Sequence, residues 1–222
     1  MQINSFFRKL YLNLFFRTKF IANFIFKTRF IERDKDAYYF DITTYYLIKV
    51  LLLNLNSKNK FLDLGTGTSA LIALEIKKRV GCKVIASDIN KEIIKLAKLN
   101  IKFNKEKIYV YKSNFFKNIK SDFNVISFNP PYVSSSLGKK ISLSEKFRSQ
   151  WDGGNKSDQV ITNFIKNLYK LKKSPICYMG INSQHLGAKH IKKLVKMHTR
   201  LKILKIYKSS MFPVNVYVIK KF

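Results

Sequence analysis

Two rhythms of apolar and polar residues divide this chain. From about residue 37 onward, short apolar runs alternate with longer segments of helical period. Lys60–Leu64, Lys83–Ser87, Ile108–Lys112, Phe123–Phe128 and Ile176–Gly180 read as strands. Helices are predicted over residues 41–54, 68–79, 91–103, 157–171 and 188–198, the first opened by Asp41 as N-cap. A polar loop covers residues 133–155. Strands at 202–208 and 215–220 follow one another through Ser209-Ser210-Met211-Phe212-Pro213 with no helix between them, so they form an antiparallel pair at one edge. Strands separated by helix-length segments require crossovers. The expected fold is therefore α/β: a mostly parallel seven-stranded sheet, helices on both faces, and an antiparallel last strand. Such a sheet binds its ligand at the carboxyl ends of the strands, near the point where strand order reverses.

Residues 1–31 follow another pattern. Nine aromatics, from Phe6 to Phe30, are interleaved with Arg8, Lys9, Arg17, Lys19, Lys27 and Arg29, and no acidic residue precedes Glu32. Apolar positions 3, 7, 10, 14, 21 and 24/25 approximate a helical stripe. Basic residues interrupt the run before a membrane span accumulates, and a secretory signal's clean apolar core is missing. The expected organisation is a basic, aromatic, helical segment over 1–36 and one domain over 37–222. Four roles fit the segment: a helical cap on the domain, an arm docking a partner or RNA, a membrane-surface helix, or an organellar presequence.

Composition narrows the class. The chain has 222 residues, 46% of them hydrophobic and 14% aromatic, which suits a buried core and excludes a disordered chain. Its formal net charge is +30. One reading is an electrostatic surface for RNA, an acidic partner or an anionic membrane. The other is genomic: Lys supplies 36 of 43 basic residues and Arg only 7, as an AT-rich coding sequence would produce. Cys82 and Cys177 are too few and too far apart for a disulfide framework or a zinc site, and His185, His190 and His198 lack ligand spacing. No metal is expected, and the reducing cytoplasm is the expected compartment.

The chemistry gathers at the predicted strand ends. Asp63-Leu64-Gly65-Thr66-Gly67-Thr68-Ser69 leaves the first strand and opens a helix, where the glycines permit a tight turn and close backbone approach. Asp88 ends the second strand in Ala86-Ser87-Asp88-Ile89-Asn90, where a carboxylate accepts hydrogen bonds from ribose hydroxyls. A nicotinamide site uses the same logic. A carboxylate at Asp63, however, would repel a pyrophosphate and suits a ligand bearing a sulfonium charge. The turn resembles the glycine loop of class I methyltransferases, and the resemblance runs over residues 38–222. It implies a Rossmann-like fold and S-adenosylmethionine as cofactor, with Asp63 beneath its methionine portion. Asp63, Gly65, Thr66, Gly67, Asp88, Ile89, Asn114 and Phe115 would surround that cofactor. Two positions depart from the family pattern: Ser69 stands for a third glycine, and Asn114 replaces the acid that receives the adenine amino group.

Phe128-Asn129-Pro130-Pro131-Tyr132 ends the fourth strand. Alone it could be a strand-ending turn. After the fourth strand and behind a cofactor loop it offers more, because two prolines hold the backbone rigid. The Asn129 side-chain oxygen and the Pro130 carbonyl can accept both N–H groups of a planar nitrogen, raising its electron density and aiming it at a methyl carbon. Tyr132 would offer a face for stacking. The motif resembles those of amino-group methyltransferases, both the glutamine enzymes of release factors and ribosomal proteins and the adenine-N6 enzymes of RNA and DNA. Gln150-Trp151-Asp152-Gly153-Gly154-Asn155 and Tyr39–Leu47 resemble segments of the HemK/PrmC glutamine methyltransferases and tilt the choice toward a protein substrate. The basic, aromatic N-terminus and a Gly-Gly segment after the motif also suit an RNA adenine-N6 enzyme. A non-catalytic module of the same fold is a third reading, supported only by Ser69 and Asn114.

Overall fold

The computed structural model describes residues 19–30 and 40–222. The predicted apolar stripe through position 14, and residues 31–39, lie outside the described residues. The element order is α1 (Lys19–Ile25), α2 (Ile42–Asn54), β1 (Lys60–Leu64), α3 (Leu71–Val80), β2 (Lys83–Asp88), α4 (Lys91–Phe103) and β3 (Tyr109–Lys112), followed by β4 (Val125–Phe128), α5 (Ser135–Lys140), α6 (Gln159–Lys170), β5 (Ile176–Asn182), α7 (Ala188–Lys196), β6 (Leu201–Lys208) and β7 (Val214–Lys221). One seven-stranded sheet runs β3-β2-β1-β4-β5-β7-β6. The β1–β2, β1–β4, β2–β3 and β4–β5 pairs are parallel, and β7 is antiparallel to both β5 and β6.

Period-two alternation explains the two layers. Phe61, Val84, Val125, Tyr178 and Val218 point to one face, where α2 and α3 cover them through Leu47, Leu51, Ala73 and Ile76. Their neighbours Leu62, Ile85, Ile126, Cys177 and Ile219 point to the other, under Ile161, Phe164 and Leu168 of α6 and Ile191 and Leu194 of α7. Both faces being buried is why the strands read as unbroken apolar runs. The strand order reverses between β1 and β4, so their carboxyl ends diverge into a crevice.

Three details differ from the sequence expectation. The helix expected from residue 68 begins at Leu71, because Ala70 is left-handed (φ 50°) and extends the glycine turn. The polar stretch 133–155 holds α5 and a 3₁₀ turn at Arg148–Gln150, too short to carry a periodic signal. The last two strands are adjacent as expected, yet β7 inserts between β5 and β6 and leaves β6 at the edge.

The described part of the N-terminal segment is fastened to the domain. Ala22, Phe26 and Phe30 are buried in the α2–α3 layer. Glu75 of α3, fully buried, accepts from both the Thr28 backbone N–H and its hydroxyl at 2.7 Å, and from Arg79 Nε at 2.7 Å. Asn104 bonds both backbone groups of Arg29. Substituting Glu75→Ala orphans these donors and should cost about 2–4 kcal/mol in urea unfolding. Thr28→Val, which keeps the backbone donor paired, should cost about 1 kcal/mol.

Candidate functional site

Asp63 sets the local geometry. It is 1% exposed and projects from β1 beneath the glycine turn. Its Oδ2 accepts from Thr66 Oγ1 at 2.7 Å and Ala73 N at 3.2 Å, and its Oδ1 from Ser127 Oγ at 2.9 Å. One carboxylate thus ties the turn, the first turn of α3 and strand β4 together. Burial pushes its pKa up to about 6 against the opposing hydrogen bonds from Thr66, Ser127 and Ala73. Gly65 and Gly67 both take φ of 68°. A Cβ at Gly65 would meet Phe128 at 3.2 Å, and one at Gly67 would meet Gln150 Nε2 at 3.1 Å. Asp88 receives Gly67 N at 3.2 Å and Asn90 N at 3.0 Å, one on each oxygen, leaving further lone pairs on both. Burial raises its pKa as well.

A cavity of about 490 Å³ opens over these strand ends, a size suited to a small-molecule ligand. Gly65, Thr66, Gly67, Asp88, Ile89, Asn114 and Phe115 line it together with Asn129 and Pro131. Asp63 lies below the lining, and Pro130 and Tyr132 are also outside it. Phe115 is held by edge contacts to Phe128 and tilted packing on Phe164.

Asn129 is oriented by α2. Its Nδ2 donates to Thr44 Oγ1 at 2.9 Å and to both Asp41 oxygens at 3.2 and 3.4 Å. A carboxylate facing the amide forces nitrogen toward it and oxygen away. The Asn129 Oδ1 is buried and has no hydrogen-bond partner among the described residues. Tyr132 is only 8% exposed. Its hydroxyl bonds Thr43 Oγ1 at 2.7 Å and donates to Asp41 at 3.4 Å, and its ring packs on His185 with centroids 5.4 Å apart. Burial, then the Asp41 charge, holds its phenol well above the usual range, so it stays a donor. Its place is that of a strut between α2 and the Pro-Pro backbone, where the sequence suggests a stacking platform.

The Asp152-Gly153-Gly154 segment is built into the site. Val133 N bonds Trp151 O at 2.9 Å and Gly153 N bonds Val133 O at 2.8 Å. Asp152 receives Ser135 Oγ at 2.7 Å, Gly154 N at 2.8 Å and Arg148 Nε at 2.6 Å. This strap brings Ser149, Gln150 and Asp152 to the cavity lining, with Gln150 against the glycine turn at Gly67. Sequence patterns single out Asp41 only as a helix cap and say nothing of Thr43, Thr44 or Gln150, because their partners lie far away along the chain. The resemblance of residues 39–47 and 150–155 to known segments is the one signal that marks them.

Comparison with known proteins agrees with this geometry. Residues 37–150 match the family model described as the methyltransferase small domain. A Methanocaldococcus jannaschii protein, described as a candidate protein N5-glutamine methyltransferase, is 36% identical over 163 residues, covering 69% of this chain and 81% of that protein. The release factor glutamine methyltransferase of Streptococcus pneumoniae is 35% identical over 100 residues, 43% of this chain and 36% of that one. Against such release factor enzymes the chain spans only about a third of their length. Among solved structures, a Pyrococcus furiosus methyltransferase superposes over 98% of both chains with a TM-score of 0.62 and 19% identity. The E. cuniculi Mtq2–Trm112 complex, whose title assigns it methylation of the eRF1 termination factor, gives 0.53 and 20% over 86% of this chain and 97% of that one. At these identities the structures show the shared fold.

Gly153 tests the strap. A Cβ there would lie 2.6 Å from Ser157 O and 2.8 Å from Tyr132 Cα, both backbone atoms. Gly153→Ala should cost about 1–3 kcal/mol, a Tm drop of about 3–10 °C. Gly187→Ala, where an added Cβ meets nothing within 4 Å, should change Tm by no more than about 2 °C.

Proposed function

Since this chain belongs to the methyltransferase small-domain family, we propose that it carries a methyl group from S-adenosylmethionine to the side-chain amide nitrogen of a glutamine in a translation release factor. The carrying observation is Asn129: its amide nitrogen is held by Asp41 and Thr44, so its buried oxygen is an acceptor without a partner at the end of the cavity. A buried acceptor without a protein partner costs free energy that a ligand donor, or an ordered water it displaces, recovers.

The residues fit the cofactor. Gly65 and Gly67 leave room for close approach, the spare lone pairs of Asp88 suit ribose hydroxyls, and Asn114 and Phe115 stand where an adenine would lie. When bound, S-adenosylmethionine supplies an electrophilic methyl on a sulfonium. The chain's own part is to bind and aim the acceptor. An amide lone pair is delocalised, so the nitrogen attacks weakly unless both its N–H groups are engaged. Asn129 takes one through its Oδ1, and the paired prolines fix the backbone that carries it; Pro130, whose carbonyl the sequence offers as the second acceptor, lies outside the cavity lining. The amide nitrogen would gain the methyl group and then release its proton to solvent, so no side-chain base is required of the chain. Asp63, below the glycine turn, would supply negative charge to the cofactor side of the site without lining the cavity.

Two observations favour a glutamine amide over an adenine. The Tyr132 ring is covered by His185 and leaves no broad face for a purine. The sequence relatives named for glutamine N5-methylation cover 69% and 43% of this chain at 36% and 35% identity.

Labelled methyl transfer to release factor and total RNA, run in parallel, tests the substrate. Label should enter the protein on glutamine and leave RNA unlabelled; methyladenosine in the RNA digest would replace the glutamine reading with the adenine one. Asn129→Ala should lower kcat by about 10²-fold with cofactor affinity within about threefold. Cofactor binding should also depend on pH. The Asp63 pKa lies near 6 in the empty protein, and a cation above it favours the ionised form. Affinity should therefore be level above pH 7 and fall about tenfold between pH 7 and pH 5 by calorimetry. Affinity that rises on acidification would contradict this placement of Asp63.

A further inference from the structure

After Asp158 the chain contains no acidic residue, yet Lys and Arg occur 14 times between Gln159 and Phe222. The stretch from Asp41 to Asp158 holds ten carboxylates. A bias toward lysine codons raises the basic count everywhere; it does not clear carboxylates from one part of the chain. The fold then gathers this charge at one end of the sheet. Lys189, Lys192, Lys193 and Lys196 are all exposed at i, i+3, i+4 and i+7 on α7, whose apolar side, Ile191, Leu194 and Val195, is buried. The adjacent edge strand β6 adds exposed Lys208 on the α7 side of the sheet and exposed Lys202 and Lys205, with Tyr207, on the other side of the same edge. Among the described residues none of these seven lysines forms an ion pair. Two rings lie among them: Lys205 Nζ sits 4.3 Å from the Tyr207 centroid, and Lys202 and Lys220 sit 5.2 and 5.5 Å from that of Phe222.

We propose that the sheet edge formed by α7 and β6, with lysines on both sides of β6, docks the phosphate backbone of single-stranded RNA wrapped across it, as a platform separate from the methyl-transfer site. The chemistry selects the partner. A helix that lies on a membrane turns an apolar face to the lipid, whereas the apolar face of α7 is committed to the core. Protein interfaces are depleted in lysine and centre on apolar anchors. A run of unpaired ammonium groups with aromatic rings among them matches phosphates and bases. The edge is also separate from the pocket: β6 stands three strands from β4, about 14 Å along the sheet, and none of these lysines lines the cavity.

Fluorescence anisotropy with a labelled 20-nucleotide single-stranded RNA, the full chain and no cofactor tests this, independently of which group is methylated. The K189Q/K192Q/K193Q/K196Q variant should weaken binding at least tenfold at 0.1 M salt and lower the salt slope by about 3. The K91Q/K95Q/K98Q/K102Q variant, which removes equal charge from α4 on another part of the surface, should stay within twofold. K202Q/K205Q/K208Q should weaken binding as well. Unchanged affinity with increased self-association there, the sign of lysines that only guard a sheet edge, would count against the platform. Equal losses in the α7 and α4 variants would show diffuse attraction to net charge and overturn the proposal. So would a chain that ignores the RNA but binds phosphatidylserine vesicles or polyglutamate.

Discussion

A carboxylate buried under the glycine turn holds this site in one piece. Asp63 is almost wholly removed from water and accepts three hydrogen bonds, from the turn, from α3 and from β4. Burying a charge costs free energy unless its oxygens are satisfied, and each of these donors comes from a different element. The satisfied arrangement therefore exists only when all of them are in register. That couples the cofactor turn to strand β4, and through β4 to the Asn129-Pro130-Pro131 backbone. The raised pKa is the residue of the same desolvation, and it leaves the charge responsive to a cation above.

The second coupling runs from the start of α2. Asp41 caps the helix by accepting from Thr44 N at 2.6 Å, and the same carboxylate faces Asn129 and Tyr132. A capping interaction worth about 1 kcal/mol to the helix thus also decides which way an amide points. Because α2 is wedged against Phe26 and Phe40, the packing of the N-terminal segment bears on the orientation of the acceptor. The strap through Asp152-Gly153-Gly154 adds a further constraint, its Gly153 required by contact with the Tyr132 and Ser157 backbones and its Gly154 by a φ of 89°.

Much of this was legible from the chain alone. The strands and the mostly parallel sheet follow from short apolar runs alternating with segments of helical period, because burial on both faces leaves no polar alternation in the central strands. The glycine turn, Asp88 and the Asn-Pro-Pro-Tyr segment were legible because backbone constraints such as positive φ and fixed proline φ demand particular residue types locally.

What only the tertiary structure decided is partnership. Asn129 and Asp41 are 88 positions apart, and no local period or propensity records that one will orient the other. Tyr132 has the composition of a stacking platform, and it became a strut because Thr43, Asp41 and His185 converge on it. Likewise β6 and β7 read as an edge pair, but which of them sits inside depends on the apolar surface of β5 that β7 covers, a contact formed only on folding. The sequence determined the elements and the kind of chemistry, since both rest on local geometry. The fold decided the aim of each group, since that rests on burying polar atoms from distant segments against one another.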